Sequence, residues 1–91
     1  MIVSCHSKAL RNFFLDDDPS GIRLDLVERV RSRLQALHRA KSLDDLRVPG
    51  WRLHALRSKP RRHAIAVNRP WRMTFEWKNG DALRVDLEQY H

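Results

Sequence analysis

His54 lies two residues after Arg52 and three before Arg57, in a stretch between Asp45 and Glu76 that holds no carboxylate. That 30-residue interval carries Arg47, Arg52, Arg57, Lys59, Arg61, Arg62, Arg69 and Arg72, a charge of +8. Ten basic and eleven acidic side chains occupy the other positions, so the whole formal charge of +7 comes from one third of the chain. A charge run is most often a solvated face, but solvated faces mix signs, and a region of one sign reads as an anion-binding surface. Clustered guanidiniums suit repeated bidentate contacts to phosphate oxygens, so the expected anion is a nucleic-acid backbone. A lone histidine, by contrast, is usually a surface or structural imidazole. His6, His38 and His63 are read that way, and on residue type alone His54 is no different.

The elements that must carry these side chains follow from hydrophobic period. Past Pro49-Gly50 the period changes from 3.6 to 2. Arg52 to Leu56 reads as a strand, Arg57 to Arg62 as a polar bend, His63 to Asn68 as a second strand and Arg69-Pro70 as a turn. Trp71 to Trp77 alternates cleanly, Asn79-Gly80 is a type I′ hairpin signal, and Ala82 to Leu87 returns with Leu83, Val85 and Leu87 on one face. If Met73, Phe75 and Trp77 face a core, Arg72, Thr74 and Glu76 face away from it. His54 shares parity with Arg52, and a register that sets the strands side by side brings both onto the open face of Arg72. That is a concave phosphate site in outline.

The first half supplies the cover for the other sheet face. Met1 to Ser4 reads as an opening strand, and Ser7 can N-cap a helix running to Phe14 or Leu15. Asp16 to Pro19 stops it. From Ile22 to His38, Leu26, Val27, Val30, Leu34 and Leu37 fall at the spacing of one long amphipathic helix. Its Arg23, Arg29, Arg31 and Arg33 are read as surface. Ser42 to Asp45 resembles a capping box for a short turn. The fold class is α+β, two N-terminal helices packed on an antiparallel-rich twisted sheet. Trp51, Trp71 and Trp77 are read as packing residues.

Ninety-one residues predict a single domain over 1–91, near the lower limit for one core. A hydrophobic content of 42%, with three Gly and four Pro, argues against disorder. No apolar run reaches bilayer length and no signal-peptide core opens the chain. Cys5 is the only cysteine, so an intrachain disulfide is impossible and a reducing cytoplasm is the natural setting. Cys5 itself is expected half-buried at the end of the first strand and without a nucleophile's role.

Three stretches then carry a resemblance: Ser7-Lys8-Ala9-Leu10-Arg11-Asn12-Phe13-Phe14, Leu46-Arg47-Val48-Pro49-Gly50-Trp51-Arg52-Leu53-His54-Ala55-Leu56, and Val67-Asn68-Arg69-Pro70-Trp71-Arg72-Met73-Thr74-Phe75, followed by a final Tyr90-His91. In order and spacing, essentially end to end, the chain resembles the HigB/GraT branch of the RelE-like bacterial toxins. The resemblance implies the RelE-like microbial ribonuclease fold and a ribosome-dependent mRNA endonuclease working without metal or cofactor. It also implies two kinds of partner, mRNA on the ribosome with its ribosomal RNA, and a helix-turn-helix antitoxin (HigA/GraA-like) encoded nearby. The implied reaction is in-line attack of a ribose 2′-hydroxyl on the adjacent phosphate. By that likeness His54 matches the family's active-site histidine and would be the general base. Arg57 and Arg72 would clamp the scissile phosphate, Tyr90 would stack on a base or orient the ribose, and His91 would be the general acid. Arg47, Arg52, Lys59, Arg61 and Arg62 are the further RNA-binding side chains expected.

Two departures keep a second reading open. Family members commonly carry Asp immediately before the terminal Tyr-His, where this chain has Gln89, which can hydrogen-bond but brings no charge. The segment after Arg57 is also altered, to Ser58-Lys59-Pro60-Arg61-Arg62, and is one residue shorter. The alternative is a catalytically weakened homologue that binds ribosome, RNA or antitoxin without cutting. A small DNA-binding protein is a third class with little support, since neither helix reads as a recognition helix.

Overall fold

In the computed structural model, which describes residues 1–90, helix α1 (Lys8–Asp16) starts where Ser7 accepts the Leu10 amide on its hydroxyl at 3.2 Å. It stops at Asp17, whose backbone turns left-handed at φ 52°. The predicted single helix from Ile22 is instead a 3-10 turn (Leu24–Leu26) followed by helix α2 (Val27–Arg39). Bonds of the tighter i to i+3 kind, Ile22 to Pro19 and Leu26 to Arg23 (both 2.9 Å), bury Ile22 and Leu26 while leaving Leu24 90% exposed. A second 3-10 turn (Leu43–Leu46) is held by the Asp45 carboxylate, which accepts the Lys41 and Ser42 amides at 2.8 and 3.2 Å. This is the capping box expected there.

Four strands follow, β1 (His54–Leu56), β2 (Arg62–Asn68), β3 (Trp71–Lys78) and β4 (Asp81–Gln89), in the order β1-β2-β3-β4 with every neighbour antiparallel. Asn79 and Gly80 take φ 53° and 84°, the paired left-handed backbone that the β3–β4 hairpin needs. Both helices reach one sheet face. Leu10 and Phe13 of α1 and Val30, Leu34 and Leu37 of α2 share a core with Ile65, Val67, Met73, Phe75, Ala82 and Val85. Trp51 is buried in the same core, with Trp71 and Trp77 packed against it. The architecture is α+β. Among the described residues, no helix is long and apolar enough to cross a membrane.

Three local expectations need correction. Leu83 does not share a face with Val85 and Leu87. A bulge at Arg84 (φ 50°) sets Leu83 opposite Glu76 and Asp86 opposite Thr74, so Ala82 and Val85 enter the core while Leu83 turns outward. The same bulge prevents a regular opening strand. Residues 1–5 make only isolated parallel bridges to β4, Ile2 with Ala82 and Cys5 with Val85, and Ser4 Oγ takes the displaced Arg84 amide at 2.9 Å. The strand expected from Arg52 starts only at His54, because Arg52 itself turns left-handed at φ 53°.

Candidate active site

Register decides which polar side chains meet. His54 pairs with Ala64, which pairs with Thr74. Ala66 pairs with Arg72, which pairs with Glu88. All six point to the sheet face away from the helices. Ala64 and Ala66 lack the bulk to fill the space between the flanking strands. A cavity of about 270 Å³ opens there, lined by Arg52, His54, Ala66, Arg72 and Tyr90. Four of the residues singled out in the sequence therefore converge on one cavity.

Three contacts hold this group together. The Tyr90 amide donates to the Pro70 carbonyl at 2.9 Å, tying the end of the chain to the β2–β3 turn. The Arg72 guanidinium then lies 5.1 Å over the Tyr90 ring. Among the described residues Arg72 Nε is buried without a hydrogen-bond partner. His54 Nδ1 is 2.8 Å from the Arg52 carbonyl oxygen. A carbonyl only accepts, so that ring nitrogen carries the proton, and in the neutral ring Nε2 keeps its lone pair.

The remaining predicted residues lie elsewhere. Arg57 is exposed in the bend after β1 and does not line this cavity. Lys59 and Arg62 line a neighbouring groove of about 260 Å³ together with Glu76, Asp86 and Glu88. Arg62 is committed within the protein, donating to Glu88 Oε2 at 2.9 Å and more weakly to Thr74 Oγ1 at 3.4 Å. Arg47 is paired to Asp44 at 2.8 Å. Arg61 is exposed, and His91 lies outside the described residues. Burial pushes the Cys5 thiol up, away from the thiolate a nucleophile needs.

Sequence reading missed several residues of this face. Glu88 accepts from the Thr74 hydroxyl as well as from Arg62. Burial by itself would raise its carboxyl, but Thr74, Arg62 and Arg72 outweigh that and hold it below the usual carboxylate range. The signal for Glu88 was its parity, which puts it across from Arg72. For Ala64 and Ala66 the signal was two small residues alternating on the outer side of a strand. Arg33, expected at the surface, is instead half-buried, its guanidinium 4.7 Å over the Trp51 ring. No sequence signal marks it.

Fold and site together define a small α+β protein whose sheet face away from the helices brings a histidine, two arginines and a tyrosine to one cavity. The family description of the RelE-like toxin HigB, from type II toxin-antitoxin systems, matches residues 3–91. The chain is also 35% identical over 92 residues to a Proteus vulgaris protein named endoribonuclease HigB, with all of both chains covered. It belongs to the HigB-like toxins of type II toxin-antitoxin systems.

Proposed function

We propose that this one-domain toxin is a cytoplasmic endoribonuclease that cuts mRNA in the ribosomal decoding site. The convergence of Arg52, His54, Arg72 and Tyr90 on one cavity carries the reading, and the name of the Proteus vulgaris relative supports it. In the proposed step His54 Nε2 takes the proton from a ribose 2′-hydroxyl as its oxygen attacks the adjacent phosphorus. The bond from phosphorus to the 5′-oxygen breaks, and His91 returns a proton to that leaving oxygen. The products are a 2′,3′-cyclic phosphate and a 5′-hydroxyl. Arg72 binds the equatorial oxygens through its guanidinium as charge builds on the phosphorane, and Arg57, exposed in the bend after β1, adds positive charge from outside the cavity. Tyr90 holds the nucleotide so that attack is in line, the geometry a flexible strand seldom visits. These side chains supply base, acid and charge, so the step calls for no metal or cofactor. Messenger and ribosomal RNA are the substrate-side partners, and a helix-turn-helix antitoxin encoded nearby is the neutralising one.

Inducing the protein in bacteria should arrest growth and create new transcript 5′ ends, and His54→Ala should lower cleavage at least about a hundredfold while leaving the fold intact. Undiminished cleavage by His54→Ala would remove the catalytic assignment. A second reading rests on the exposed Gln89, uncharged where relatives commonly have Asp. It holds that this chain occupies ribosomes without cutting, and growth arrest with no new 5′ ends would establish it.

A further inference from the structure

Arg33 is a half-buried cation on α2, on the helix side of the sheet, with no carboxylate within ion-pair distance among the described residues. Burial and the neighbouring Arg29 both disfavour its charge. A helix this well seated would lose little by carrying an apolar side chain there. What Arg33 does hold is the back wall of the cavity. Its Nε donates to the Ala66 carbonyl at 3.0 Å, and its guanidinium carbon lies 4.7 Å over the Trp51 ring. The Ala66 amide in turn donates to the Trp51 carbonyl at 2.6 Å. Trp51 leads directly into Arg52, whose left-handed backbone aims its carbonyl at His54 Nδ1. Such a backbone is unfavourable at a non-glycine residue and persists only where its surroundings hold it.

We propose that Arg33 is a positioning residue for His54, clamping Trp51 and Ala66 so that the Arg52 carbonyl keeps the imidazole proton on Nδ1 and turns Nε2 toward the cavity. Arg33 touches no RNA in this arrangement, because it approaches from the helix side. The inference rests on the reading of His54 as general base, and the two can fail separately.

The test uses Arg33→Lys and Arg33→Met in the full chain. Lysine keeps the charge and loses the planar stack and the Nε donor. Methionine keeps the stem over Trp51 and removes the unpaired charge, so it folds even where lysine does not. Cleavage of ribosome-bound message and the imidazole nitrogen NMR shifts of His54 are measured for each folded variant. The expected result is a melting temperature at or above wild type for Arg33→Met and KM within about twofold, with kcat lower by about tenfold. The His54 nitrogens should move from an Nδ1–H pattern to a mixed one. Unchanged kcat with unchanged nitrogen shifts, or a rise in KM alone, overturns the proposal. If the wild type does not cut but its Nδ1–H pattern still depends on Arg33, the positioning role stands and the endonuclease reading fails.

Discussion

Glu88 is the side chain whose charge opposes the work of its neighbours. Its carboxylate lies on the site face between Arg62 and Arg72, so under the proposed function it would repel the phosphate while steadying the sheet beneath it. Its folded carboxyl is held below the ordinary range, so the stabilisation it brings is complete above the unfolded carboxylate pKa of about 4.3. That stabilisation is lost as pH falls through the lower folded value. Urea titrations of wild type and Glu88→Gln should therefore differ most near neutrality and converge in acid. A gap that widens below pH 4 would show the sign to be wrong. The same variant should bind RNA roughly two- to fivefold more tightly, because removing the carboxylate raises the local potential and frees Arg62.

At the scale of the elements, what alternation and turn chemistry announce is what folds. The Ser7 cap, the Ser42 box, the Asn79-Gly80 hairpin and the outward Arg72 are all in place. The misses among the strands share one cause, a left-handed backbone at a residue whose type gives no notice of it. Arg52 and Arg84 take φ 53° and 50° with no Gly or Asn to mark them, and each resets the parity or start of a strand. Glu88 and Arg33 were missed for another reason, since a side chain's partner across the fold leaves no trace in local pattern. The Arg84 bulge makes a testable claim about β4. Val85 is fully buried, and Val85→Ala should cost about 2 kcal/mol in chemical denaturation. Leu83, turned outward beside Glu76, should tolerate Leu83→Thr for under about 1 kcal/mol. Strict alternation would make both costly, so an equal loss at the two positions would place the bulge elsewhere.

Over the whole molecule, the +8 interval is not uniformly available, and that bears on how RNA affinity should respond to salt. Of its eight cations, Arg47 and Arg62 are paired with carboxylates, while Arg52, Arg57, Lys59, Arg61, Arg69 and Arg72 have no such partner among the described residues. Only unpaired cations release counterions fully from a bound strand, and each phosphate so neutralised contributes about −0.7 to the slope of log affinity against log salt for single-stranded RNA. Arg61→Ala should therefore weaken binding to an uncleavable single strand and flatten that slope by about 0.7. Arg47→Ala removes the same formal charge and should leave affinity within about twofold, because Arg47 is already paired with an exposed Asp44 and neither residue lines the cavity. Fluorescence anisotropy across a salt series compares them directly. Equal slopes for the two variants would mean that net charge alone drives binding, whereas a difference confined to Arg61 assigns the work to the uncovered face of the sheet and the bend at its edge.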